Sequence, residues 1–267
     1  MKTRISVIVL VFVILVSSTA FAEDGFKVLL GFSLAQDNYK ITGYLPDGSS
    51  NTSTKNEGST VYRPSVDMQY EKGPLFLRAL YDYGLIPNSQ SEYSGGGGSP
   101  IKGHFWDAEG DLGYKVYDKH NVSLTPYVGF GNRFFKTINK LNHSSWGKVN
   151  TPYAALGNIA TYTADRWSVG LDTALFMLFA GKFKEPFTSF TYATHFNFGL
   201  GCRIQIPVTY SIRPKKDHSV GVVVFLTPYY EFYNTGKSDA EPFPITLEKV
   251  RMSNRVCGAK VGIGFEF

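Results

Sequence analysis

The sequence predicts an all-β fold: a closed, antiparallel, up-and-down transmembrane β-barrel of about ten strands. Three observations lead there. Segments of about ten or more residues alternate apolar and polar side chains, the period-two pattern of a strand with two different faces. After the first 22 residues there is no apolar 20-mer, although 43% of the chain is hydrophobic and 15% aromatic. A barrel spreads its apolar residues over alternate positions, and in lipid only helices and closed barrels satisfy every backbone polar group. The connectors also alternate, short after even-numbered segments and long after odd-numbered ones, as the two ends of an outer-membrane barrel do.

Residues 1–22 have the layout of a secretory signal peptide. Lys2 and Arg4 precede an apolar run over 5–16, and Ala20-Phe21-Ala22 forms a cleavage site before Glu23. The run is too short for a comfortable membrane span. No cysteine follows the cleavage region, which argues against a lipid anchor. The expected division is therefore 1–22 as signal peptide and 23–267 as barrel, exported to the outer membrane of a Gram-negative bacterium. Without the signal, 25 basic residues face 22 acidic ones. So mild a charge, with no dense basic block, points away from nucleic acid. Cys202 and Cys257 are the two cysteines, and no Cys/His ligand pattern indicates a metal or cofactor.

The segments follow in order. The first (26–44) sets Phe26, Val28, Leu30, Phe32 and Leu34 on one face. The second (60–70) alternates Tyr62, Pro64, Val66, Met68 and Tyr70 with Arg63, Ser65, Asp67 and Gln69. After the turn EKGP, the third (75–85) opposes Leu75, Leu77, Ala79, Tyr81 and Tyr83 to Arg78 and Asp82. The fourth (104–117) opposes Trp106, Ala108, Leu112, Tyr114 and Val116 to Asp107, Glu109, Asp111 and Lys115. The fifth (122–135) sets Val128, Phe130 and Phe134 against Thr125, Tyr127 and Arg133. The sixth (151–163) has two similar faces and is the weakest. The seventh, from Trp167, opposes Leu171 and Leu175 to Ser168, Gly170 and Asp172. The eighth (193–210) opposes Phe198, Leu200 and Cys202 to His195, Asn197, Arg203 and Gln205. The ninth (220–233) opposes Val222, Val224 and Leu226 to Thr227, Tyr229 and Glu231. The tenth runs from about Met252 to the final Phe267.

An even count puts both ends at the short-turn side. The apolar faces meet lipid, with Trp106, Trp167 and several tyrosines as interfacial girdles. The opposite faces fill the lumen with Arg63, Asp67, Arg78, Asp82, Asp107, Glu109, Asp111, Lys115, Arg133, Asp172, Arg203, Glu231 and Lys260. A barrel of about ten strands is barely wider than the eight-stranded kind that side chains fill. Mixed charges in that space are expected to pair into a salt-bridge plug. Cys202 and Cys257 fall on the lipid side of strands separated by a third, beyond disulfide reach.

Three resemblances add to this. The tail GAKVGIGFEF, with Val261, Ile263, Phe265 and Phe267 on one face, resembles the terminal assembly signal of bacterial outer-membrane proteins. That resemblance implies the barrel assembly machinery as a partner. The ten-strand layout resembles the omptin family of outer-membrane proteases, which use an Asp pair and an Asp-His pair near the outer rim. The candidate residues here are Asp82, Asp107, Glu109, His195 and Glu231. The chain departs from the family's local motifs: Asp82 sits in LYDYG without an acid two residues on, and His195 sits in ATHFNF without an Asp two residues before. Finally, DAEGDLGYKV, LTPYVGFGNRF, TPYYEFYNTGKS and the EPFPIT…GAKVGIGFEF ending resemble a broad group of proteobacterial outer-membrane β-barrel proteins of unassigned activity, which implies fold and location only.

The expectation is a monomeric outer-membrane barrel among outer-membrane lipids, with a structural or surface-interaction role and a salt-bridge-filled lumen. Its surface ligand is not named by the sequence. A small-solute, porin-like channel and an omptin-like surface hydrolase are the alternatives.

Overall fold

The computed structural model describes residues 25–44, 50–92, 98–139, 145–179, 181–186, 191–195, 197–215, 219–238 and 249–267. The proposed signal peptide lies outside them. The strands are β1 (Phe26–Tyr44), β2 (Ser50–Lys72), β3 (Leu75–Glu92), β4 (Gly98–Tyr114), β5 (Tyr117–Lys119), β6 (Val122–Asn139) and β7 (Ser145–Ala164). They continue with β8 (Trp167–Leu178), β9 (Lys182–Pro186), β10 (Thr191–His195), β11 (Gly199–Gln205), β12 (Val208–Arg213), β13 (Gly221–Asn234) and β14 (Lys249–Glu266).

Ten staves make the barrel, because two of them are broken. β5 prolongs β4 past Lys115 and Val116, and the Val116 amide still donates to the Leu124 carbonyl at 2.9 Å. β12 prolongs β11 past Ile206 and Pro207. Proline has no amide to give the ladder, yet the Pro207 carbonyl accepts from the Gly170 amide at 2.7 Å. Each stave pairs antiparallel with the stave next to it in the chain, and β1 closes on β14 from Lys27↔Glu266 to Tyr44↔Lys249. The final residue is part of that seam. The Phe267 amide donates to the Phe26 carbonyl at 2.8 Å, the two rings lie 6.0 Å apart, and the Lys215 ammonium donates to the Phe267 carbonyl.

The pleat sorts the side chains as the alternation predicts. Phe32, Leu112, Phe130, Leu156, Leu175 and Val261 face outward and are exposed, Phe130 by 70%. Their strand partners on the other face are buried. On β4 the outward run from Tyr114 to Trp106 covers about 27 Å of strand at the usual rise, enough for a tilted crossing of an apolar band about 25 Å tall. Tight turns close the short end, where Gly73, His120, Asn121 and Asp165 adopt positive φ.

Two expectations are corrected. The long connectors are shorter than their composition suggests. β2 begins at Ser50 rather than near residue 60, and β3 and β4 pair out to Glu92↔Gly98. These Ser-, Thr- and Asn-rich stretches read as loop because they carry no apolar face, yet backbone pairing needs none. The eighth segment also does not start at 193. Thr191–His195 forms a separate hairpin with β9, which is attached to β7, and the spanning stave begins at Gly199.

Candidate functional site

The lumen is the obvious place to seek chemistry, since each stave sends alternate side chains into it. One ionic chain crosses it. At one side the Lys260 ammonium donates to Asp82 at 3.1 Å. Asp82 also accepts from Arg63 at 3.3 Å, and Arg63 reaches Glu231 at 3.4 Å and the Tyr229 hydroxyl at 3.2 Å. Glu231 accepts from the Tyr233 hydroxyl at 2.8 Å and lies 3.8 Å from Arg133. Arg133 sits over the Tyr233 ring and donates to Asp107.

The Tyr153 hydroxyl carries the chain onward, lying 2.8 Å from both Asp107 and Glu109. Arg203 grips Glu109 with two bonds, 3.0 and 2.8 Å, and reaches the Tyr127 hydroxyl at 3.3 Å. Tyr127 donates to Asp172 at 2.8 Å, and Arg78 bridges Asp172 and Asp111 at 2.8 Å each. These residues come from nine of the ten staves. The guanidinium of Arg63 is essentially sealed, at 2% exposure. Charge-assisted, forked bonds of this kind are the strong ones.

Among the described residues, spaces flank this chain on both sides. A vestibule of about 910 Å³ opens toward the short turns and is lined by Asp67, Gln69, Arg78, Lys115, Asp172 and Lys260 among others. On the long-loop side a small cavity of about 30 Å³ lies among Asp37, Tyr39, Arg63, Arg133, Thr151 and Asn254. Among the described residues, thirteen acidic or basic side chains occupy the lumen between the mouths: eight carboxylates (Asp37, Asp67, Asp82, Asp107, Glu109, Asp111, Asp172, Glu231) and five bases (Arg63, Arg78, Arg133, Arg203, Lys260). At the short-turn mouth, Lys27 pairs with Glu266 at 3.0 Å and Lys115 with Glu71 at 2.9 Å.

The sequence-predicted lumen residues all lie on the inward face. Asp67 stands apart from the chain, accepting from Gln69 at 3.0 Å, and Lys115 belongs to the mouth. The candidate hydrolytic group is not assembled. Asp82, Asp107, Glu109 and Glu231 meet in the network, each bound to arginine, but His195 is exposed on the β9–β10 hairpin and does not face the lumen.

Sequence reasoning missed Asp37 and Tyr153. The first strand showed only its apolar side. The seventh strand's inward face is Tyr153, Ala155, Gly157 and Ile159, too apolar to stand out from the outward one. A cross-strand signal was there to find. Gly131 pairs with Tyr153, Tyr127 with Gly157, and Gly84 with Phe105. A Cβ on these glycines would lie 2.3, 2.2 and 2.0 Å from the facing aromatic ring. Each ring lies across the bare backbone of its partner, the arrangement by which aromatics shield glycine in sheets.

No protein-family model matches the sequence, and no curated protein matches it. Among solved structures, the outer membrane protease OmpT from Escherichia coli superposes with a TM-score of 0.63 at 9% identity, covering 91% of this chain and 97% of that one. OprG from Pseudomonas aeruginosa (TM-score 0.42, 11% identity, 91% and 96% covered) and the translocator domain of the autotransporter NalP from Neisseria meningitidis (0.42, 14%, 100% and 98%) match more loosely. The fold is that of an outer-membrane β-barrel. At 9% identity the likeness to OmpT reaches the ten-stranded frame and stops there. Val261 and Ile263 of the tail face outward and are exposed, Phe265 lies half-buried, and Phe267 closes the seam.

Proposed function

We propose that this chain is a monomeric outer-membrane barrel with a closed lumen, whose role is structural or interactive rather than conductive. It is exported through its cleaved signal peptide, inserted by the barrel assembly machinery reading its C-terminal strand, and presents its long-loop end at the cell surface. The single observation that carries the closed lumen is the unbroken ionic chain from Lys260 to Asp111. A water-filled pore leaves its wall side chains wet. Here Arg63, Arg78, Arg203, Glu109, Asp172 and Glu231 are all buried. The vestibule opens to one side only and ends at Arg78, Asp172 and Lys260.

The test is planar-bilayer conductance of the refolded protein, with heat-modifiable migration showing that the barrel is formed. A folded barrel that produces no current steps is expected. Discrete, reproducible steps from wild-type protein would overturn the closed-lumen reading and make the channel the better description.

A further inference from the structure

Among the described residues, eleven buried side-chain atoms have no hydrogen-bond partner within the protein, and five of them belong to residues around one cavity. The five are Asp37 Oδ1, Arg63 Nε, Arg133 Nη1, Thr151 Oγ1 and Asn254 Oδ1, and the cavity is the space of about 30 Å³ on the long-loop side of the ionic chain. Asp37, Arg63 and Thr151 are exposed by only 1, 2 and 4%. An unpaired buried polar atom is costly, and five around one void call for a common partner.

Two opposite walls meet here. Asp37 on β1 and Asn254 on β14 lie on the closing seam, where Tyr39 pairs with Asn254, and Arg63 is on the adjoining β2. Arg133 of β6 pairs with Thr151 of β7 across the barrel from that seam. Toward the long loops the cavity is roofed by a buried apolar layer of Tyr39, Phe105, Phe135, Val149 and Met252. The Tyr39 and Phe135 rings reach each other from the two walls, edge-on with centroids 5.0 Å apart. On the other side Arg63 and Arg133 are held by Asp82, Glu231 and Asp107.

The donor and acceptor set identifies the ligand. Arg63 Nε and Arg133 Nη1 donate, Asp37 Oδ1 and Asn254 Oδ1 accept, and the Thr151 hydroxyl does either. A cation would serve the oxygens alone and face two guanidinium groups. An anion would serve the donors alone and face the Asp37 carboxylate. Water serves both. One water makes about four hydrogen bonds at most, too few for five atoms. Two waters bonded to each other keep about six, three as donor and three as acceptor. The volume agrees, since a water needs roughly 10–15 Å³ of such space.

We propose that this cavity binds a pair of mutually hydrogen-bonded water molecules as a structural ligand that ties the β1–β14 seam to the β6–β7 wall. The apolar roof lies between the pair and the long-loop mouth, so exchange on that side requires Tyr39 and Phe135 to part. This inference goes beyond the closed lumen, and the two fail separately: conductance reads the ionic chain, and solvent density reads the waters.

The test is a crystal structure of the full mature chain, refolded in detergent and grown with rubidium bromide as the salt. Two solvent peaks are expected, each within about 2.7–3.2 Å of its share of the five atoms, with no anomalous signal from either ion. A rubidium or bromide peak in the cavity overturns the water assignment. So does a cavity without solvent density, or one whose five atoms pair directly with one another. In solution, long-lived waters are counted by oxygen-17 relaxation dispersion. Thr151→Leu, which fills the cavity, should lose two of them, and Phe130→Leu on the lipid face should lose none. An undiminished count in a Thr151→Leu barrel with heat-modifiable migration overturns the proposal; if that variant does not assemble, the wild-type density alone decides.

Discussion

Arg203 is the deepest single commitment of the lumen and gives the sharpest test of how the barrel is held. Its guanidinium makes two bonds to Glu109, at 3.0 and 2.8 Å, and one to Tyr127 at 3.3 Å. Arg203→Met keeps most of the apolar stem over the Phe176 ring, which the guanidinium carbon approaches to 5.3 Å, but leaves the Glu109 carboxylate buried with only the Tyr153 hydroxyl. Breaking a buried pair in this way costs about 3–5 kcal/mol, and the retained tyrosine bond favours the lower end. Glu109→Leu, which strands Arg203 instead, should cost a similar amount. The double variant strands nothing: Tyr153 keeps Asp107 at 2.8 Å and Tyr127 keeps Asp172 at 2.8 Å. Replacing a whole buried pair with apolar groups is often close to neutral, so the double variant should recover to within about 1 kcal/mol of wild type. Urea unfolding in phospholipid vesicles, followed by heat-modifiable migration, measures all four proteins. A double variant as unstable as the two single losses combined would refute the pairing, and so would a single Arg203→Met loss below about 1 kcal/mol.

Deleting Phe267 removes a seam hydrogen bond of 2.8 Å and the ring packed on Phe26; assembly in cells, read as the heat-modifiable fraction, should fall severalfold, and unimpaired insertion would contradict the role given to the tail. Gly157→Val places a carbon about where the Tyr127 ring lies, since even a Cβ would sit 2.2 Å from Cζ. It should destabilise by about 1–3 kcal/mol through overpacking, with Tyr127→Ser added as the relieving change; equal stability of Gly157→Val and wild type would dismiss the shielding account. Opening the plug with Glu109→Ser and Asp172→Ser leaves six lumen carboxylates against the five bases counted above. Any current such a variant carries at about pH 9, where carboxylates are ionised and lysine and arginine stay charged, should therefore favour K⁺ over Cl⁻, and a reversal potential of the anion-selective sign would refute the charge count.

Much of the frame was legible because the pleat forces a simple code. Leu112 and Asp111, or Cys202 and Arg203, can only point to opposite sides once the strand is recognised. The inward charges could be named for the same reason. Their partners could not. That Arg203 meets Glu109 across the lumen, and not the equally inward Asp111, depends on strand stagger and barrel curvature, which no single strand encodes. Tyr153 stayed hidden because it faces small residues, and its strand shows no contrast between faces. His195 misled for a related reason. Two residues of alternation before Asn197 suit a short surface hairpin as well as a spanning stave, and only the β9 pairing distinguishes them.

The network that crosses the lumen also binds its carboxylates on several sides. A general base needs a lone pair free to face a substrate. Asp82 is held by Arg63 and Lys260, Asp107 by Arg133 and Tyr153, Glu109 by Arg203 and Tyr153, and Glu231 by Arg63 and Tyr233. Groups bound on this many sides anchor staves to one another. The likeness to OmpT and the absence of an assembled carboxylate–histidine group among the described residues are thus compatible: one ten-stranded frame can carry different interiors, because frame and site are set by different residues. In this chain the interior holds charged side chains bound to one another. On the closed-lumen reading, interaction with anything else falls to the surfaces that the frame leaves uncommitted.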